Sequence, residues 1–203
     1  MAIWTPAAKL ITALTIQNAV HRIGRIVGAL KTYSHLDQQA VLAPGDLHEG
    51  LETTLALFDY ALRDITLQRQ YGDVPAIPIY ADELNQVWTN LIQNSVQALG
   101  GNGNITIETR VDGDHAVVRV IDDGPGIDED VLPRIFEPFF TTKSKGEGTG
   151  LGLGIVRRII DKHAGTVRCD SEPGRTCFEV RLPLGGPGRP TSSPSHPPAE
   201  LRS

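Results

Sequence analysis

A chain of 203 residues with a formal net charge of -5, 40% hydrophobic and 21% charged, has the make-up of a soluble globular protein holding one compact domain plus an appendage, or two small units. The acidic balance argues against a large phosphate-backbone footprint, so nucleic acid is not an expected partner. No apolar run approaches the roughly 18 residues that cross a bilayer, and "MAIWTPAAKLITALTIQNAV" lacks a charged segment ahead of its apolar part, so a cytoplasmic chain without a membrane segment is expected.

In chain order, no helix breaker follows Pro6 until near residue 44, and Ile16, Val20, Ile23, Val27 and Leu30 recur at steps of four and three. That spacing predicts a long helix over residues 1–40 whose apolar seam either packs on its own domain or joins a dimeric coiled coil or four-helix bundle. "VLAPGD" reads as a short strand and turn, with Asp46 capping a helix that runs to about Leu67 and carries Leu47, Leu51, Leu55, Phe58 and Leu62 on one face. "RQYGDVPAIPIY" is an extended segment broken by turn chemistry. Asp82 is expected to cap the next helix, whose stripe from Leu84 to Leu99 stops at Gly100-Gly101.

Two alternating runs, "NITIETRV" and "HAVVRVID", separated by "DGD", predict a hairpin. An irregular stretch over about 124–148 leads to a helix from about Thr149 to His163 and then to two closing strands, "GTVRCDS" and "TCFEVRLP". Cys169 is in phase with Val167 and Cys177 out of phase with Phe178, so the two thiols face opposite ways and make a poor disulfide or metal pair. The tail from 185 to 203, rich in Pro, Ser and Gly, is expected to be disordered. Helices on one face of a mixed, largely antiparallel sheet amount to an α+β two-layer sandwich over residues 41–184, preceded by the long N-terminal helix.

A structureless stretch of that length inside a compact domain tends to be a lid or binding loop. Within it, "GEGTGLGLGIV" places glycines where backbone must approach something closely, and it opens a helix whose unpaired N–H groups and dipole favour an anion. It is neither the GxGxxG of dinucleotide folds nor the GxxxxGK[ST] of P-loops. In "VIDDGPGID", Asp122 falls in phase with Val118 and Val120, so its carboxylate points inward and needs a donor. In "NQVWTNLIQNSVQAL", Asn90 and Asn94 lie four apart on one face of an otherwise apolar helix.

These elements, in this order, resemble the ATP-binding catalytic domain of bacterial sensor histidine kinases, in the group that includes gyrase-type, mismatch-repair and heat-shock-chaperone ATPases. "NLIQNS" looks like the N box, "DDGPGI" the first glycine box, "IFEPFFTTK" the F box and "GTGLGLGI" the second glycine box. The resemblance implies that Asp122 accepts a hydrogen bond from the adenine amino group, that Asn94 holds Mg²⁺ against the triphosphate of ATP, and that Asn90 supports the phosphates. It implies that Lys143 is the lid lysine reaching the terminal phosphates, the one catalytic side chain. Gly124, Gly126, Ile127, Phe136, Thr142, Gly148, Thr149, Gly150, Leu151 and Gly152 complete the implied nucleotide contacts, with Phe136, Phe139 and Phe140 as an apolar hinge of the lid that folds back on the domain or on a partner.

More weakly, "AVHRIGRIVGALKTYSHLDQ" resembles the second helix of the dimerisation and phosphotransfer hairpin, which implies a homodimer through that helix. The phosphoacceptor box of the first helix is absent from this sequence. His48-Glu49 imitates it but lacks the following Pro, and His21 lacks an adjacent acid, so both read as ordinary helix histidines. The implied function is the catalytic module of a protein-histidine kinase, passing the γ-phosphoryl group of ATP to a histidine absent from this chain and onward to a response regulator, so that the chain by itself is not expected to autophosphorylate. Alternatives are a non-catalytic nucleotide-sensing dimerisation module, or an ATPase or serine kinase of the same fold; Asn90, where hydrolases of this group tend to carry a Glu base, speaks against hydrolysis.

Overall fold

The computed structural model describes residues 41–143 and 148–188. The expected N-terminal helix with its seam, His21 and most of the expected disordered tail lie outside the described residues.

The fold begins with β1 (Ala43–Gly45), α1 (Leu47–Leu57), β2 (Ile65–Tyr71) and β3 (Ile77–Ile79). It continues through α2 (Ala81–Leu99), β4 (Gly103–Asp112), β5 (His115–Asp122), α3 (Gly152–Lys162), β6 (Thr166–Glu172) and β7 (Arg175–Pro183). Five strands form one sheet in the order β2-β4-β5-β7-β6; β2 runs parallel to β4 and every other neighbour is antiparallel. β1 and β3 make a separate antiparallel pair.

Period-2 alternation sends Ile105, Ile107, Val118, Val120, Phe178, Val180 and Leu182 to one face. There they share a core with Leu47, Leu51 and Leu55 of α1, with Leu84, Trp88, Leu91 and Ile92 of α2, and with Ile155, Val156, Ile159 and Ile160 of α3. The opposite face has no helix among the described residues and is tiled with ion pairs. Arg119 meets Glu179 at 2.7 Å, Arg181 meets Asp112 at 2.7 Å, and Arg110 reaches Glu179 at 3.7 Å. This is the two-layer sandwich read from the sequence. Cys169 packs toward the core beside its cross-strand partner Phe178 and Cys177 lies on the opposite face, both as free thiols; burial pushes Cys169 up to about 12.

Asp46 caps α1 by accepting a hydrogen bond from the His48 N–H at 2.8 Å. The helix stops at Leu57 rather than near Leu67. Phe58 to Asp64 form successive turns, which keep Leu62 in the core, and Ile65–Tyr71 is then recruited as the edge strand β2. Asp82 is not the cap of α2: the helix starts at Ala81 behind Tyr80, with no side-chain cap, and Asp82 sits in the first turn where its charge suits the dipole. α2 ends with Gly100 in the left-handed conformation (φ 62°), as the Gly-Gly pair predicts.

The antiparallel pair α2 and α3 is tied together at one end. His163, buried just past α3, accepts the backbone N–H of Tyr80 on Nε2 at 3.0 Å, which leaves Nδ1 to donate to the Ile159 carbonyl at 2.8 Å. Beside it, Lys162 donates to the buried Glu83 carboxylate at 2.8 Å and lies over the Tyr80 ring. The other end of the pair opens into the site.

Candidate functional site

The C-terminal half of α2, the end of β5, the loop after it and the start of α3 surround a cavity of about 500 Å³, a size that suits a nucleotide. Its lining includes Asn90, Asn94, Asp122, Gly126, Ile127, Thr142, Lys143, Gly148, Thr149, Gly150 and Gly152, all singled out in the sequence. Gly124, Phe136 and Leu151 do not line it. Gly124 sits behind Asp122 and donates its N–H to Oδ1 at 3.2 Å, while Phe136 and Leu151 pack into or against the core.

At one end lies Asp122, 3% exposed, the last residue of β5. Ser95 of α2 donates its hydroxyl to Oδ2 at 2.7 Å. Burial raises the pKa of Asp122 above the ordinary carboxylate value, while the bonds from Ser95 and Gly124 pull the other way. Across the β5–β7 ladder its register partner is Thr176, another buried polar residue in the lining, whose Oγ1 lies 2.9 Å from Ser171 Oγ. Ser95 and Thr176 were missed in the sequence. The only signal for either was a hydroxyl on an inward position, next to Asn94 in the helix or directly across from Asp122.

At the other end, Asn90 donates Nδ2 to the Gln86 carbonyl at 2.8 Å, which leaves its Oδ1 facing the start of α3. A Cβ on Gly152 would come within 2.9 Å of that oxygen, so the glycine lets the two helices close here. Lys143 donates to Asn94 Oδ1 at 3.4 Å and, more closely, to Gln97 Oε1. Gln97, with Gln86 and Gln93, went unremarked because glutamines on a helix ordinarily face water.

The glycine ladder serves the loop itself as much as a ligand. Gly150 has φ 67°, and a Cβ there would collide with the backbone of Phe139, whose N–H donates to the Gly150 carbonyl at 2.8 Å. Gly126, at φ 85°, lies against the Glu172 carbonyl at the end of β6. The three clustered phenylalanines divide their work. Phe136 packs on the core and Phe140 lines the cavity beneath the Arg134 guanidinium, 4.4 Å from its ring centre. Phe139, at φ 67°, is 68% exposed.

His48, the imitation phosphoacceptor, is fastened elsewhere: Nε2 lies 2.8 Å from Thr109 Oγ1, and its ring stacks on Tyr71 with centroids 4.6 Å apart. Tyr71 in turn donates to Glu52 at 2.8 Å, and Arg69 at 2.7 Å holds Glu52 below the usual carboxylate range. His48 thus belongs to a cluster joining α1 to the sheet edge.

Residues 80–186 match the family described as histidine kinase-, DNA gyrase B-, and HSP90-like ATPase. The sensor histidine kinase ZraS of Klebsiella oxytoca is 38% identical over 184 residues, covering 86% of this chain and 38% of that protein. Sporulation kinase C of Bacillus subtilis is 38% identical over 135 residues, covering 65% of this chain and 31% of its own. The chain therefore spans about a third of the length of these curated relatives. Among solved structures, the nucleotide-free catalytic domain of histidine kinase ThkA superposes with a TM-score of 0.66 at 32% identity, over 71% of this chain and 97% of that one. ThkA in complex with the response regulator protein TrrA gives a TM-score of 0.70 at 26% identity, over 91% and 53%. The chain belongs to the histidine kinase-, DNA gyrase B- and HSP90-like ATPase family, and carries the ATP-binding catalytic module of sensor histidine kinases.

Proposed function

We propose that this module binds Mg-ATP in the α2–α3 cavity and passes the γ-phosphoryl group to the imidazole of a phosphoacceptor histidine on a separate helix. The observation that carries the reading is the polarity of the cavity. A buried carboxylate stands at one end, and at the other the first turn of α3, an ammonium and two amide side chains face a common space. The first suits a purine amino group; the second suits a triphosphate, with the helix dipole and Lys143 sharing its charge.

The residues also fit a hard divalent cation. A positive charge, the Lys143 ammonium, already rests on the oxygens of Asn94 and Gln97. Among the described residues no three His, Cys, Asp or Glu side chains gather into a metal cluster. A Mg²⁺ that keeps its waters and leans on the nucleotide phosphates needs few protein ligands, and Asn94 is the one named for it. When bound, it would neutralise charge on the phosphates. The chain's own residues do the rest: Asp122 orients the base, Asn90 and the α3 N-terminus hold the phosphates, and Lys143 reaches the terminal one.

The complex of ThkA with TrrA supports a response regulator as the next acceptor. A cytoplasmic setting and a homodimer through the N-terminal segment complete the proposal. Among the described residues no helix is long and apolar enough to cross a membrane.

Incubation with labelled ATP and Mg²⁺, with and without a separately supplied phosphoacceptor helix, tests the reading. Acid-labile label on the added helix is the expected result. Steady phosphate release without transfer would replace the kinase reading by a hydrolase.

A further inference from the structure

We infer that Gln97 is a positioning residue: it holds the Lys143 ammonium against Asn94, where the lysine competes with the divalent cation for the Asn94 side-chain oxygen. This rests on the nucleotide-site reading above. Asn94 and Gln97 stand three apart on α2, so their side chains share one face, and both line the cavity. The ammonium is bound unequally. Its contact with Asn94 Oδ1, at 3.4 Å, lies at the long end of hydrogen bonding, whereas Gln97 Oε1 is the nearer acceptor. Of these two acceptors Gln97 is therefore the closer anchor, and it holds the ammonium beside the Asn94 oxygen.

Two cations bound to one amide oxygen would repel strongly in a half-enclosed cleft, so a metal ion on Asn94 requires Lys143 to withdraw from that oxygen. A neutral amide at position 97 makes the exchange possible, because it adds no negative charge that would itself capture the metal. The contact joins residues 46 apart in sequence, and neither the asparagine box nor the loop motif points to Gln97.

The test has two arms, both using Gln97→Leu. Gln97 is exposed, and Leu is a good helix former, so α2 should persist. In the first arm, without nucleotide, limiting acetic anhydride labels lysines and mass spectrometry reads Lys143 relative to Lys162, which Glu83 holds independently. Loss of the Gln97 bond should raise the relative labelling of Lys143 about threefold, the effect of a hydrogen bond at a partly solvated site. An unchanged ratio overturns the assignment.

In the second arm, displacement of a fluorescent ATP analogue by ATP is followed across Mg²⁺ concentrations. The concentration giving half of the gain in affinity should fall about threefold in Gln97→Leu, the same weakened bond read through the metal. In a Lys143→Met background the same substitution should have no effect. A rise would make Gln97 a metal ligand, and an equal fall in both backgrounds would make the two residues independent; either overturns the inference. If no form of the chain binds the analogue at any Mg²⁺ concentration, the nucleotide reading and the competition fall together, while the labelling arm still decides the Gln97–Lys143 contact.

Discussion

Asp122→Asn changes the cavity by one atom type. In the native chain Oδ2 accepts from Ser95 at 2.7 Å and Oδ1 from the Gly124 N–H at 3.2 Å, which leaves lone pairs on both oxygens for a ligand. An amide keeps one acceptor oxygen and puts an NH₂ in place of the other. The Ser95 hydroxyl can turn and accept from that NH₂, so the fold should lose only about 1 kcal/mol. A ligand amino group that had donated to a carboxylate now meets either a neutral oxygen or a donor. Loss of a charge-assisted hydrogen bond at a site 3% exposed is worth about 2 kcal/mol, or about a thirtyfold weaker affinity for ATP. Displacement of a fluorescent nucleotide at fixed Mg²⁺ measures this, with urea unfolding of the same samples to confirm that the variant is folded. Inosine triphosphate, which lacks the amino group, supplies the control: the native chain should prefer ATP, and the variant should not. Unchanged ATP affinity in Asp122→Asn, or no preference in the native chain, would refute the assignment of Asp122 to the base.

The same carboxylate gives a pH signature with two distinguishable parts. Its folded-state pKa is raised, chiefly by burial, above the unfolded value of about 3.9. The folded chain therefore binds the extra proton between those two values, so this residue's contribution to stability is fully present at low pH and is lost as pH rises through the folded pKa. Nucleotide affinity should move the other way, because only the ionised form is a full acceptor: it should weaken as pH falls through the raised pKa, without unfolding caused by this residue.

Gly150→Ala puts a Cβ at φ 67° and into the backbone of Phe139, so stability in urea should drop by about 1–2 kcal/mol and ATP affinity should fall with the displaced loop. His163 is held neutral by burial, with a folded pKa below the unfolded value of about 6.5. The unfolded chain then binds the extra proton between these values, so stability should decline as pH is lowered through about 6.5, and His163→Gln should show a shallower decline between pH 7.5 and 5.5 in urea midpoints. Lys162→Met should cost about 2 kcal/mol, since it strands the buried Glu83 carboxylate, whose Oε2 already has no hydrogen-bond partner among the described residues. Adding Glu83→Leu to Lys162→Met should recover most of that loss in the same unfolding assay; if the two losses simply add, the pair is not coupled.

Where sequence and structure part company, the cause is a partner distant along the chain. The apolar spacing of Phe58 and Leu62 continued the stripe of α1, and the turns that replace the helix retain part of it, since the Leu62 N–H still donates to the Phe58 carbonyl at 2.9 Å. What ends the helix is the parallel pairing of Ile65–Tyr71 with Gly103–Thr109, a ladder that local spacing cannot announce. The hairpin β4–β5 was legible because its turn and both strands adjoin, from Asp112 paired with His115 to Ile105 paired with Asp122. The site divides in the same way. Asp122 followed from strand alternation and Asn90 and Asn94 from helical spacing, because each lies within one regular element. Ser95, Gln97 and Thr176 acquire their significance only where α2 crosses the end of β5 and meets the loop.

The loop shows how far a motif reaches. Three phenylalanines in five residues announce an apolar hinge, yet nothing in their spacing assigns Phe136 to the core, Phe140 to the cavity and Phe139 to solvent. The residue that decides is Gly150. Its positive φ and bare Cα let the Phe139 N–H reach the Gly150 carbonyl at 2.8 Å, and that bond accompanies the reversal at Phe139 which turns its ring outward. The second glycine box thus shapes the F box before any ligand arrives. A substitution at Gly150 should therefore disturb the exposed ring and the phosphate end of the cavity together, and one at Phe139 that keeps the backbone, such as Phe139→Asn, should leave nucleotide affinity nearly intact, because Asn tolerates the left-handed region and Phe139 does not line the cavity. Displacement of the fluorescent nucleotide separates the two, and a loss of affinity in Phe139→Asn as large as that in Gly150→Ala would show that the ring, and not the glycine, organises the loop.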